Sequence, residues 1–312
     1  MASFTTNILK IYLKKLRKYS IYELFDIFKR KTLYSFNFLL NLYPSSAPFL
    51  SGDTFKSIAS INYTGGRIEL LKPEIIFLKA TLLKEFEKNL KNINKRFILI
   101  SHNSDLDIDK RYKKILNCSY LIMWYACNCL IKHPKIKCLP LGLHNKKFHS
   151  FGVTKDFIKL REKKIKKIPK ILYSFDPETN DDLRRPLFNI LKKLKIADHF
   201  VGTPKNYRKM VSQYMFNASP PGQGMDTYRA WESIYLGSIP IVRTKKLYKQ
   251  FENLPILILD DWKKIKLLKS SDLKLIYSKQ IKKLNSCKCI WFEYWQEEIK
   301  KRFEKYKYYD ES

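Results

Sequence analysis

The segment of residues 219–242 constrains the fold of this chain most, because a glycine loop, an amphipathic stretch and a short apolar run follow one another within it. Two prolines and two glycines, Gly222 and Gly224, prevent regular structure at its start and let the backbone approach a neighbour closely. Asp226 stands where an N-cap residue belongs, which predicts a helix over residues 227–236 that ends at Gly237. The apolar residues 239–242 predict a buried strand.

The predicted helix has two unlike faces. At about 100° per residue, the large apolar side chains fall on one side and the charged side chains on the other. The apolar set is Trp231, Ile234 and Tyr235, and the charged set is Asp226, Arg229 and Glu232. A helix N-terminus after a glycine loop favours an anion such as phosphate, Arg229 adds a bidentate donor, and Glu232 can accept hydrogen bonds from sugar hydroxyls. The alternative is an exposed, salt-bridged helix beside an ordinary loop.

The rest of the chain alternates short apolar runs with amphipathic segments. Residues 75–78 and 97–100 are typical of parallel strands covered on both faces, and residues 82–93 predict the crossover helix between them. After the basic residues 159–170 the alternation resumes, with strands predicted at 171–175, 199–201 and 254–259 and helices at 185–194 and 207–214. This order predicts an α/β protein with two Rossmann-like domains that face each other across a cleft.

Four segments follow from this organisation. They are a basic amphipathic helical segment (1–45), two Rossmann-like domains (46–165 and 166–285), and a C-terminal helix that packs back on the first domain (286–312). In the first segment, apolar residues at helical spacing predict two helices. One carries Ile8, Ile11, Tyr12 and Leu16, and the other Ile21, Leu24, Phe25 and Phe28. Such helices either lie in a membrane interface or cap the first domain.

Polar residues follow two of the predicted strands, at the edge where open α/β sheets bind ligands. His102 and Asp105 are of the types that can take a proton from a hydroxyl group, although their loop could simply satisfy turn hydrogen bonds. Arg184 or Arg185 is a candidate for contact with a phosphate group, and the alternative there is a solvated helix start.

Residues 221–242 resemble the C-terminal nucleotide-sugar motif of exostosin-like glycosyltransferases, which have a GT-B fold. Shorter pieces are similar to that family in the same order, so the similarity spans about residues 48–262. These pieces are residues 51–55, 100–105, Trp124 with Asn128, 139–143 and 254–262. The resemblance implies transfer of a sugar from a nucleoside diphosphate sugar to a carbohydrate or lipid-linked acceptor hydroxyl. His144 departs from the family pattern, which has a more polar or acidic residue at that place.

The resemblance also implies roles for the candidate residues. The second domain would bind the donor, and the first would present the acceptor and the base, His102 or Asp105. The expected donor contacts are Gly222, Gly224, Asp226, Arg229, Glu232, Arg184 and Arg185. No cofactor and no metal are expected, so Asp107 and Asp109 are interpreted as surface residues or a helix start, although their Asp-x-Asp spacing could suit a hard cation.

The charge of the chain requires a separate explanation. Lys and Arg number 61 against 29 Asp and Glu, which gives a net charge of +32. An anionic membrane surface or a polyanionic acceptor would use many basic residues, whereas base bias in the genome would explain them without a partner. The alternative function is a basic nucleic-acid-binding protein, but the chain has no nucleic-acid motif and its basic residues are scattered.

The cysteines and the N-terminal residues predict a location. Neither pair of closely spaced cysteines has the two-residue gap of a zinc knuckle, so buried reduced thiols are expected. Lys and Arg interrupt the apolar residues of the first 40 positions, and a signal peptide is therefore not expected. These features predict a cytoplasmic protein, either soluble or peripheral at the inner face of a membrane.

Overall fold

The protein contains two parallel β-sheets, as seen in a computed structural model that describes residues 19–39, 45–251 and 253–307. The first sheet has five strands in the order β1-β2-β3-β4-β5, and every neighbouring pair is parallel. Its strands are β1 (Ile61–Tyr63), β2 (Glu74–Lys79), β3 (Phe97–His102), β4 (Leu121–Cys127) and β5 (Ile136–Leu139). The helices of this half are α1 (Ile21–Leu39), α2 (Gly52–Lys56), α3 (Leu83–Asn89), α4 (Lys113–Leu116) and α5 (Thr154–Arg161).

The second sheet also has five parallel strands, in the order β10-β9-β8-β6-β7. Its strands are β6 (Ile168–Tyr173), β7 (Ala197–His199), β8 (Tyr214–Ala218), β9 (Ile239–Val242) and β10 (Leu257–Ile258). The helices are α6 (Asp181–Leu191), α7 (Pro204–Val211), α8 (Tyr228–Tyr235), α9 (Lys245–Tyr248), α10 (Ser270–Ile281) and α11 (Phe292–Tyr306). Because β6 lies between β7 and β8, the strand order reverses beside β6, and a ligand crevice is expected at such a point.

The prediction of an α/β fold with two parallel sheets is confirmed, but β1 and β8 were not predicted. The predicted strand at 199–201 is β7, two residues earlier, and the predicted helix at 207–214 is α7, which begins at Pro204 after the N-cap Thr203. The earlier end of α7 frees the next residues to form β8. β8 lies between β6 and β9 and is therefore central to the second sheet.

Helix α8 joins the two halves of the molecule. Its apolar side, with Trp231, Ile234 and Tyr235 at most 1% exposed, belongs to the core that covers the first sheet. The Tyr235 hydroxyl donates to the carbonyl of Ile290 at 2.6 Å and accepts from the amide of Leu50 at 3.2 Å. A helix encoded between two strands of the second sheet thus completes the core of the first half.

The helices at the two ends of the described chain are α1 and α11. In α11, the Trp295 side chain is buried and its ring lies 6.3 Å from that of Phe55, while the amide of Phe292 donates to the carbonyl of Pro48 at 3.0 Å. Helix α1 corresponds to the second predicted N-terminal helix, and the first, which carries Ile8 to Leu16, lies outside the described residues. Among the described helices, none has the length and apolar character needed to cross a bilayer.

Candidate active site

A cleft of about 410 Å³ lies between the carboxyl ends of the two sheets. The first half contributes residues that follow β3 and β5, and the second half contributes residues that follow β6, β7 and β8 together with the first turns of α8. The polar and charged lining residues are Asp105, His144, Ser174, Thr179, Arg184, Tyr207, Gln223, Asp226, Thr227, Tyr228, Arg229 and Glu232. The loops that follow β6 and β8 line this cleft, so it lies at the point where the strand order reverses, as expected for open α/β sheets.

Two arginines converge on the wall formed by the second half. Arg184 is 7% exposed, and its guanidinium group donates to the carbonyls of Pro221 at 2.7 Å and Asp176 at 3.0 Å. Arg229 donates to the carbonyl of Ser174 at 2.9 Å, while its buried Nε has no hydrogen-bond partner. Burial and the nearby charge of Arg229 lower the pKa of Arg184 to about 10. Within the described chain neither arginine forms an ion pair, so this wall of the cleft suits an anion.

A buried carboxylate lies one helical turn beyond Arg229. Glu232 is 5% exposed, and its carboxylate accepts no hydrogen bond from the described residues. The imidazole of His144 lies beside it, with Nδ1 3.8 Å from Glu232 Oε1. The His144 ring stacks on Tyr228 with 3.6 Å between centroids, and its buried Nδ1 has no hydrogen-bond partner. Because the carboxylate lines the cleft and is not used by the protein itself, Glu232 is suited to hydroxyl or amine donors from a ligand.

The glycine loop passes close to both walls. The amide of Gly222 donates to the carbonyl of Gly224 at 3.0 Å, and Asn180 donates to the Gly222 carbonyl at 2.7 Å. A Cβ atom at Gly222 would lie 2.9 Å from an Arg184 guanidinium nitrogen, and one at Gly224 would lie 3.1 Å from Asp105 Cα. Both glycines are therefore needed for close approach, because a side chain would displace the arginine or the opposite wall.

Asp226 is not the N-cap of α8, contrary to the sequence prediction. Thr227 caps the helix, and the Asp226 carboxylate turns into the interface between the halves. It accepts from the Leu141 amide at 2.9 Å, from Trp231 Nε1 at 2.8 Å and from the Tyr248 hydroxyl at 2.9 Å. Its own amide donates to Asn128 Oδ1 at 2.8 Å. With these partners the carboxylate holds the two halves together, and its lone pairs are not available to a sugar.

Asp226 should make stability depend on pH. Burial raises its pKa from 3.8 to about 6, outweighing the donors that lower it. Between about pH 4 and pH 6 the folded state therefore holds a proton that the unfolded state releases, so the free energy of unfolding falls as pH rises. We expect this contribution to be on the order of 3 kcal/mol and to be absent in Asp226→Asn. Urea unfolding of both proteins across that range measures it, and a difference that does not change with pH would contradict the assignment.

The structure separates the two candidates for the base. His102 is the last residue of β3, is 1% exposed and does not line the cleft. Its Nδ1 accepts from the Asn103 amide at 2.8 Å and its Nε2 donates to the Pro140 carbonyl at 3.1 Å, while burial lowers its pKa. Asp105, three residues further on, is exposed and lines the cleft opposite the glycine loop. Of the pair, only Asp105 is placed to meet a ligand.

The two predicted phosphate contacts are also separated. Arg184 lines the cleft, whereas Arg185 lies outside it and forms an ion pair with Asp181 at 2.5 Å on the exposed side of α6. Asn180 caps this helix, which fixes the side on which each arginine lies. The structure adds Tyr207, Ser174 and His144 to the cleft. The sequence carries no pattern that identifies the first two, and His144 is marked in it only as a departure from a family motif.

Of the two carboxylates that follow Asp105 on its loop, Asp107 is half-buried and Asp109 begins a helix, as expected for it. Asp109 caps the short 3-10 helix Lys110–Tyr112 and pairs with Arg111 at 2.8 Å. In the part of the chain that the structure describes, no three His, Cys, Asp or Glu side chains are grouped as ligands of one metal ion would be. The expectation of transfer without a metal remains a prediction.

Comparisons with known proteins give little guidance on function. No protein-family model and no curated protein matches the chain. A solved structure that it is similar to is described as "alpha-glucosyltransferase in complex with UDP-glucose and DNA containing an abasic site". The TM-score is 0.32 and the sequence identity 13%, over 69% of this chain and 75% of that chain. Similarity at this level does not identify a function, which has to be inferred from the cleft itself.

Proposed function

We propose that this protein is a glycosyltransferase that moves a sugar from a nucleoside diphosphate sugar to a hydroxyl group of a carbohydrate or lipid-linked acceptor. One observation carries the proposal. In a single cleft, Arg184 and Arg229 have no acidic partner in the described chain, and the carboxylate of Glu232 accepts no hydrogen bond from it. A diphosphate can pair with the arginines and the hydroxyls of a sugar or ribose can donate to the carboxylate, whereas a simple phosphate would use the arginines alone.

The proposal assigns different roles to the two halves. The second half binds the donor through the two arginines and the backbone of Gly222 and Gly224, and the first half presents the acceptor from the wall that contains Asp105. This is the arrangement of the exostosin-like enzymes with a GT-B fold that residues 221–242 resemble. Two parallel sheets whose carboxyl ends face one cleft support it.

Sugar transfer breaks one bond at the sugar C1 and forms another. The bond between the sugar C1 and the diphosphate oxygen breaks, and its electron pair goes to the diphosphate. The acceptor oxygen forms the new bond to C1, and its proton goes to the carboxylate of Asp105. Arg184, Arg229 and the N-terminal end of α8 lie where they can stabilise the charge that develops on the diphosphate, and we propose that they do so without a metal.

Substitution of Arg229 tests donor binding. We expect Arg229→Ala to weaken binding of the nucleoside diphosphate sugar by roughly 10- to 150-fold, because a hydrogen bond from a charged group contributes about 1.5–3 kcal/mol. Arg185→Ala is the matched control, since Arg185 is also on the second half but lies outside the cleft. A thermal-shift panel of nucleotide sugars identifies the donor, and titration calorimetry then gives the dissociation constants. Equal weakening in the two variants, or no stabilisation by any nucleotide sugar, would remove the proposal.

A further inference from the structure

The inner face of helix α1 is mixed: it carries Glu23 and Arg30 together with the half-buried Leu24, Ile27 and Tyr34. Glu23 accepts from the Thr203 hydroxyl at 3.1 Å, and Arg30 donates to the His149 carbonyl at 2.7 Å. The rings of Tyr34 and His149 meet edge to face at 5.7 Å. An amphipathic helix on a globular protein ordinarily turns most of its large apolar side chains inward, whereas α1 turns only a minority of them toward the protein.

Most of the large apolar side chains of α1 face outward. Among the described residues, six of the fourteen exposed large apolar side chains are on this helix: Ile21, Tyr22, Phe25, Phe28, Leu33 and Phe36. At about 100° per residue they occupy one sector of roughly 140°. Phe25 is 69% exposed and Phe28 is 67% exposed. A contiguous surface of this kind marks a contact with an apolar partner.

A basic groove borders this apolar sector. The groove has a volume of about 340 Å³ and lies between α1 and the segment of residues 146–155. Its charged lining residues are Lys29, Arg30, Lys146, Lys155 and Asp26, so cations outnumber the one carboxylate by four to one. Leu33 lines the groove and is also part of the exposed apolar set. Apolar surface and positive charge therefore meet along one edge of the helix.

We propose that α1 and this groove form a contact surface for an anionic bilayer, with α1 lying in the plane of the interface. Outward aromatic side chains suit the boundary of the acyl chains, and the bordering cations suit anionic headgroups. The charge of +32 adds attraction of about 1 kcal/mol for each basic residue near the surface. The surface is distinct from the cleft, since none of these α1 side chains lines it.

The position of α1 has a consequence for the acceptor. Its partner Thr203 lies between Gly202 and Pro204, and both of these residues line the cleft. A bilayer at α1 would therefore lie beside the cleft rim. If the proposed function is correct, this favours the lipid-linked acceptor over a soluble one.

Vesicle binding tests the surface with the full chain. We expect sedimentation with vesicles of phosphatidylcholine and phosphatidylserine to exceed that with phosphatidylcholine alone, and Phe25→Ser/Phe28→Ser to lower it about tenfold or more. Leu71→Ser/Leu275→Ser is the matched control, because both leucines are exposed but lie away from α1, and it should bind vesicles as the wild type does. Lys29→Glu/Lys155→Glu should remove the preference for phosphatidylserine.

Three outcomes would contradict the proposal that α1 contacts a bilayer. They are equal binding by the phenylalanine variant and the wild type, no preference for anionic vesicles, and failure of the phenylalanine variant to fold. The last result would show that another part of this chain covers the face. A dimer that the phenylalanine variant converts to a monomer would instead identify a second copy as the occupant. Nucleotide-sugar stabilisation is measured in parallel and should persist in every variant, so failure of this surface and failure of the proposed function are distinguishable.

Discussion

Asp105→Asn should lower the rate of sugar transfer about 100-fold or more while the dissociation constant of the nucleotide sugar stays unchanged. The carboxylate is exposed in the cleft and lies on the acceptor side, where it can take the proton that the attacking hydroxyl loses. Asparagine keeps the size of the side chain but cannot accept that proton. Steady-state turnover with an acceptor, combined with donor titration, separates the loss of chemistry from a loss of binding.

Two further substitutions test whether the proton goes to Asp105 and not to another group. Asp107→Asn changes a carboxylate on the same loop that does not line the cleft, so turnover should be preserved. His144 is the other titratable group of the first half that lines the cleft. Full turnover in Asp105→Asn together with a large loss in His144→Asn would show that the proton goes to His144.

The local sequence pattern was sufficient to predict which side of α8 is buried. Trp231, Ile234 and Tyr235 recur at helical spacing, and all three are buried. The buried strands β2 and β3 were likewise predictable from apolar runs, because a parallel strand covered on both faces has few polar positions. In these cases the pattern of neighbouring residues is enough to predict which side chains are buried, whichever part of the fold covers them.

Other features depend on contacts that no local pattern encodes. The sequence places His102 in a polar turn, but β3 continues through it and directs its Nε2 to the Pro140 carbonyl, 38 positions away. Asp226 has the residue type and position of an N-cap, yet its carboxylate accepts from an amide 85 positions away. Each of these polar side chains is buried because another segment supplies its hydrogen-bond partner.

The sequence alone could not show whether Arg184 or Arg185 faces the cleft. Adjacent residues of a helix lie about 100° apart, so only one of the two can face the cleft. The sequence leaves the start of the helix uncertain by a few residues, and an error of that size exchanges the two sides. The N-cap at Asn180 fixes where the helix begins, and with that start Arg184 donates to the Pro221 carbonyl.

Trp231→Ala should lower the free energy of unfolding by about 3–5 kcal/mol, as expected for removal of a large side chain from a core. The ring is 0% exposed, meets Phe251 edge to face at 5.4 Å, and donates to both oxygens of the Asp226 carboxylate. Trp231→Phe keeps an aromatic ring but removes one of the donors to Asp226 and fills less of the core, so it should cost about 1–3 kcal/mol. Denaturant midpoints of the three proteins measure these differences.

The shape of the unfolding transition tests what α8 does in the fold. Since Trp231 lies in the core of the first half while α8 contacts β9 of the second, neither half keeps a complete core when the other unfolds. Trp231→Ala should therefore shift one cooperative transition, seen equally by tryptophan fluorescence and by far-ultraviolet circular dichroism. Two separated transitions in the wild type, of which only one moves in the variant, would show that the halves are independent. In that case Asp226 and α8 would not be what holds the two walls of the cleft together.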